Sequence, residues 1–204
     1  MNIYTYHSPV ENLPYQHHLL ELWQKSWRAL GWNPLVLTRA QAEMHAMHES
    51  LERHFHASLP SRNSAAYELA CYERWLAMDF VGGGWMSDSD IINYSFYPIR
   101  PASDTLTLFS QGNLCPCLVY GSAAEYLRAA TLFLNHSGGV FEPDHASDQN
   151  ILQLHKSQFR QVELVPEFNE PGWEKSCLVH YANGRMLAHQ PRHEWIPRLR
   201  NFRP

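Results

Sequence analysis

Two aspartates one residue apart, Asp88 and Asp90, are the residues of this 204-residue chain whose type and spacing point most directly to chemistry. Two carboxylates delivered by the end of a strand can converge on one hard divalent cation, because their oxygens suit Mg2+ and Mn2+ better than Zn2+. An isolated Asp-x-Asp is also an ordinary feature of solvated turns. Here the pair has a scaffold. The segment Trp75 to Asn93, WLAMDFVGGGWMSDSDIIN, runs from an apolar helix through a glycine-rich break and a short hydrophobic strand to the acids, and Ile91-Ile92 follow at once.

Other ligand types are abundant but poorly spaced. The chain has 13 histidines, yet His45 with His48, and His54 with His56, have no cysteine or well-placed acid beside them that would make a zinc site. Four cysteines (Cys71, Cys115, Cys117, Cys177) include one Cys-Pro-Cys and no CxxC, which argues against a zinc ribbon and a thioredoxin-type motif; they read as buried thiols in a reducing compartment.

The elements that would position the acids follow from periodicity. Asn2 to Tyr6 reads as a first strand, followed by a helix over about 15–30 in which Leu19, Leu22, Trp23, Trp27 and Leu30 form one stripe closed by Gly31. Leu35 to Thr38 is a buried strand, and Thr38 is placed to cap a helix over roughly 40–55. Ser64 to Phe80 is free of Gly and Pro and forms the helix that leads to the acids. Further strands are expected at 105–109, 117–120, 161–165 and 177–181, and helices at 123–134 and 148–155, the latter capped by Ser147. Strand-helix-strand-helix order predicts an α/β fold, a single domain spanning 1–204 with an irregular tail over about 189–204. Hydrophobic residues make up 45% and charged residues 18%, which is a globular composition, and the formal charge of −4 provides no global cationic field for nucleic acid or an anionic membrane. No 18-residue apolar run and no leader pattern is present, so the expected location is the cytoplasm.

At the acids the sequence resembles the GT-A-type glycosyltransferases with a DxD motif, the small bacterial and viral-type sugar transferases whose pattern is an Arg-bearing helix, Gly-Gly, a short strand and Asp-x-Asp. The matching residues are Arg74, Gly83, Gly84, Asp88 and Asp90; weaker likeness extends to 26–34, 147–150 and 178–181. The chain departs from the pattern at Cys71, where an Asp often stands three residues before the Arg, at Met86, which replaces an aromatic, and at the additional Gly82.

The resemblance implies a GT-A-like (Rossmann-like) mixed sheet flanked by helices. It also implies transfer of a sugar from a nucleotide-diphosphate-sugar donor to a saccharide or other hydroxyl acceptor. Mn2+ or Mg2+ would be held by Asp88 and Asp90, with His180 completing the set. Donor contacts would come from Asp88, from Arg74 and Arg185 by charge-assisted hydrogen bonds, and from Tyr6 and His7 at the carboxyl end of the first strand, where open α/β sheets bind ligands. Asp148 is the candidate catalytic carboxylate on the acceptor side, although an acid just after Ser147 also favours a helix N-terminus electrostatically. The alternatives are a non-catalytic nucleotide- or sugar-binding module on the same fold and a metal-dependent nucleotidyltransferase, for which Gly84 stands too close to Asp88.

Overall fold

The computed structural model describes residues 1–9, 16–110, 114–182 and 192–199. In chain order its elements are β1 (Asn2–Tyr6), α1 (Gln16–Arg28), β2 (Asn33–Leu37), α2 (Arg39–Glu43), α3 (His48–Ser58), α4 (Ala65–Phe80), β3 (Gly83–Ser87), β4 (Ile91–Asn93), β5 (Thr107–Leu108), β6 (Leu118–Ser122), α5 (Ala123–Leu134), α6 (Asp148–Leu154), β7 (Arg160–Gln161), β8 (Leu178–His180) and α7 (Arg192–Leu199). The main sheet has the order β2-β1-β3-β6-β5-β7, and a separate two-stranded sheet pairs β4 with β8. β1 lies parallel to both β2 and β3, whereas β6 runs antiparallel to β3 and β5, so the sheet is mixed.

Alternation along β3 divides the core between the two faces of this sheet. Trp85 packs with Ile3, Trp23 and Trp27 under α1, while its neighbour Met86 packs with Leu76, Tyr126 and Phe133 under α4 and α5. Buried indoles supply large apolar area, and each needs a partner for its N–H. Trp23 Nε1 donates to Ser87 Oγ at 2.8 Å and Trp27 Nε1 to the Ile91 carbonyl at 3.3 Å, so the tryptophan stripe of α1 anchors the chain on both sides of Asp88 and Asp90. The glycine break is steric as well as conformational. A Cβ at Gly83, whose φ is +79°, would lie 2.5 Å from the Ala123 backbone nitrogen, and only glycine fits that approach.

Two local expectations are corrected. The helix over 40–55 is two helices, because His45 turns its ring into the break: its Nδ1 accepts from the Met47 N–H at 3.1 Å and its Nε2 meets Asp79 at 2.7 Å. Such side-chain bonds offer the backbone an alternative to the helical ladder. The tail is not irregular over 192–199. There α7 docks the fully buried Ile196 against Leu19, Leu22, Ile92, Val179 and Tyr181, and tertiary burial overrides a Pro- and Arg-rich composition. Among the described residues no helix is long and apolar enough to cross a membrane.

Candidate metal and donor site

The acids occupy a pinned turn between the two sheets. The Asp88 N–H donates to the Cys117 carbonyl at 2.7 Å, and the Ile91 N–H donates back to the Asp88 carbonyl at 3.2 Å. β4 then starts at once, and its antiparallel register sets Ile91 opposite His180. The Tyr181 N–H donates to the Asp90 carbonyl at 3.0 Å. Strand pairing therefore carries His180 across 90 residues of sequence to the acids.

Its Nε2 lies 3.3 Å from Asp90 Oδ1 and 3.8 Å from Asp88 Oδ2. Its Nδ1 donates to Glu167 Oε1 at 2.7 Å. That bond fixes the ring and aims Nε2 at the acids, the arrangement in which an imidazole ligates a metal. Cis ligands at about 2.1 Å from one octahedral ion are separated by about 3 Å, so this donor set fits a single Mg2+ or Mn2+. The ligand atoms of all three residues lie within 4.8 Å of one another. Side-chain exposure rises from 4% at His180 through 14% at Asp90 to 30% at Asp88, so the cluster opens on the Asp88 side.

Two guanidinium groups balance the charge. Arg74, one turn and a half before the end of α4, donates through Nη1 to Asp88 at 2.6 Å and through Nη2 and Nε to Asp148 Oδ2 at 2.6 and 3.2 Å. Trp75 Nε1 adds a third donor to the same Asp148 oxygen at 3.0 Å. Arg192, at the start of α7, donates to Asp90 Oδ2 at 2.5 Å. Burial, reinforced by the charge of Asp90, pushes the Asp88 carboxyl up to about 7 despite Arg74. Burial opposes charge on both Asp90 and His180, but their mutual attraction prevails, holding Asp90 well below the usual carboxylate range and His180 well above the usual imidazole one.

The first strand reaches the same edge. Ile3 and Tyr4 pair with Trp85 and Met86, so Tyr6 comes level with Asp88. The Tyr6 hydroxyl donates to Glu73 Oε2 at 2.7 Å, and Glu73 Oε1 meets His48 Nε2 at 2.9 Å. Adjacent residues of α4, Glu73 and Arg74, thus hold the ends of β1 and β3 respectively. The half-buried His7 donates its backbone N–H to the Leu37 carbonyl at 2.8 Å, and burial lowers its imidazole pKa.

The structure thus brings together Asp88, Asp90, His180, Arg74 and Asp148, with Tyr6 and His7 on the same edge. Arg185 lies outside the described residues. Sequence reasoning missed Glu167 and Arg192, which come from an irregular loop and from the segment read as tail, and no spacing signal marks either. It also missed Cys115 and Cys117 as site residues. Their thiols lie with His180 in a second group of ligand atoms within 4.8 Å of one another. The hydrogen bond with Cys117, and then His180, pull the Cys115 thiol down to about 6 against its burial. The one visible signal was the Cys-Pro-Cys spacing.

A family model described as "Domain of unknown function (DUF8765)" matches residues 2–119. It covers Tyr6, His7, Arg74, Asp88 and Asp90 and stops before Asp148 and His180. No curated protein matches the sequence. Among solved structures, galactosyltransferase LgtC in complex with donor and acceptor sugar analogs is similar with a TM-score of 0.60 at 10% identity, over 100% of this chain and 98% of that one. A glycosyltransferase involved in glycosylation of the major capsid of PBCV-1 gives 0.54 at 13% identity, over 95% and 97%. The apo form of glycosyltransferase GlyE of Streptococcus pneumoniae TIGR4 gives 0.53 at 12% identity, over 89% of this chain and 54% of that one. At these identities the likeness is one of fold: a mixed α/β sheet flanked by helices, of the GT-A type.

Proposed function

The chain belongs to the family described as a domain of unknown function (DUF8765), and from the site at the end of its sheet we propose that it is a metal-dependent glycosyltransferase. It moves a sugar from a nucleotide-diphosphate-sugar donor to a hydroxyl of a saccharide or other acceptor. The observation that carries this reading is the convergence of Asp88, Asp90 and the Glu167-oriented His180 on one point beside the ends of β1 and β3. The GT-A-type fold of the similar solved structures supports it.

Breaking an anomeric C–O bond leaves a diphosphate with added negative charge, through a transition state of oxocarbenium character. A divalent ion at Asp88, Asp90 and His180, Mn2+ or Mg2+, supplies Lewis-acid stabilisation of that charge. Asp88 and Asp90 contribute hard oxygens, and His180 contributes Nε2 once it has lost its proton. Arg74 is held against Asp88 by Asp148 and so presents a fixed cation at the phosphate side. In this reading Tyr6 and His7, at the carboxyl end of β1, would contact the nucleobase and ribose, and Arg185 would contact a phosphate.

Asp148 acts in this reading through Arg74 rather than as the acceptor-side base expected from sequence. Its Oδ2 already accepts from Arg74 and Trp75, and its Oδ1 accepts from the Gln149 N–H at 2.7 Å, which leaves it poorly disposed to take a proton. The binding-module alternative has one observation in its favour: the Arg192 guanidinium lies on Asp90, where metal charge is wanted.

The test is hydrolysis or transfer from a panel of nucleotide-sugars with Mn2+, Mg2+ or EDTA, for the native chain and Asp90→Ala, with thermal shift as a parallel readout of binding. Metal-dependent turnover that disappears in folded Asp90→Ala supports the enzyme. Turnover unchanged in that variant overturns the mechanism, and donor-dependent stabilisation without turnover favours the binding module.

A further inference from the structure

Cys115, Cys117 and His180 form a donor set of different chemical character from the two aspartates. The Cys-Pro-Cys turn precedes β6, and the Cys117 carbonyl accepts the Asp88 N–H at 2.7 Å, so the thiols are fixed to the acid turn by a backbone bond. Cys117 is 1% exposed, Cys115 is partly exposed, and neither is in a disulfide. Their sulfurs and a His180 ring nitrogen lie mutually within 4.8 Å. Two thiolates and an imidazole are borderline-soft ligands, which select Zn2+ over Mg2+ or Mn2+. The ring that they share is already oriented by Glu167, whose other oxygen, Oε2, is buried without a hydrogen-bond partner. A carboxylate behind a ligating histidine is the usual outer support of a zinc site.

We propose that Cys115, Cys117 and His180 form a Zn2+ site that shares its histidine with the Asp88–Asp90 site. Three protein ligands would leave the fourth tetrahedral position to water or another donor. Because one imidazole lone pair binds one ion, Zn2+ at the cysteines and Mn2+ at the full acid–histidine set exclude each other. Zn2+ is then an inhibitor of the metal-dependent activity. The exclusion rests on the function proposed above; the Zn2+ site itself does not.

Co2+ titrated into the reduced chain is the direct probe, because thiolate ligands give it an intense near-ultraviolet charge-transfer absorption. The expected band saturates at one equivalent and is quenched by Zn2+. It is lost in Cys115→Ser and Cys117→Ser, which still bind Mn2+, and it persists in Asp90→Asn. Glu167→Gln lowers Zn2+ affinity by roughly 10- to 100-fold. In the unmodified chain, where misfolding of a variant is not an issue, Zn2+ protects Cys115 from alkylation as read by mass spectrometry. Absence of the band, a band that survives both serine variants, or alkylation unaffected by Zn2+ overturns the site. A cysteine-dependent band in a chain that binds no Mn2+ leaves the Zn2+ site standing and removes the glycosyltransferase reading.

Discussion

Arg74 Nη2 donates to Asp148 Oδ2 across 2.6 Å, and both side chains are largely withdrawn from water, at 10% and 5% exposure. Removing one member of a buried pair leaves the other charge uncompensated, which commonly costs about 3–5 kcal/mol. Asp148→Ala is therefore expected to destabilise the chain by about that amount in denaturant unfolding. Asp148→Asn keeps the shape and part of the hydrogen bonding, so it is expected to fold more stably than the alanine variant. Its defect should be weakened donor binding through a misplaced Arg74, with the pH profile unchanged. Loss of a titrating limb in that profile would restore Asp148 as the base.

Arg192 lies on Asp90 with a third of its side chain exposed, a geometry typical of ion pairs worth up to about 1 kcal/mol. Arg192→Ala removes a cation that competes with the metal. Mn2+ affinity measured by calorimetry should rise by roughly two- to fivefold. A fall in affinity would mean that Arg192 orders the site and does not compete for it.

Metal affinity should increase with pH. Asp88 releases its proton at about 7, and His180 holds its own well above the ordinary imidazole range. A cation must displace those protons, so apparent affinity should climb by up to about tenfold per pH unit for each proton released. Calorimetry at about pH 6 and about pH 8, in buffers of different ionisation heat, reads both the affinity and the protons. Stability of the metal-free chain has the opposite dependence. The folded-state pKa of Asp88 is raised, so its contribution is fully present below the ordinary carboxylate value and is lost as pH rises through about 7. Mn2+ should restore that loss.

Gly83→Ala tests the scaffold beneath the acids. Its positive φ and the close backbone of Gly121 and Ala123 leave no room for a methyl group. Strain of this kind costs about 1–3 kcal/mol, and the expected result is a lowered unfolding midpoint with weakened Mn2+ binding. Gly82, which has open space around its Cβ position, should tolerate alanine better in terms of contacts, at the expense of its own positive φ.

The sequence by itself determined the helices and the strand that deliver the acids. An uninterrupted Ser64-to-Phe80 run, the Ser147 cap and the tryptophan stripe are local patterns, and local patterns survive in the fold because propensity, capping and burial act over a few residues. It also determined Asp88 and Asp90, whose chemistry depends on their spacing. Arg74 and His180 were expected at the acids only through the resemblance to a known motif, and how every distant group reaches them is a matter of tertiary structure. His180 arrives by β4–β8 pairing, Glu167 by a loop behind it, Arg192 by a helix that docks through the buried Ile196, and the cysteines by a backbone bond to Asp88. None of these has a local period, because a site closed by pairing between strands far apart in sequence is set by register and packing energy. The same physics broke the 40–55 helix at His45, where one long-range partner, Asp79, outweighed the pattern of its neighbours.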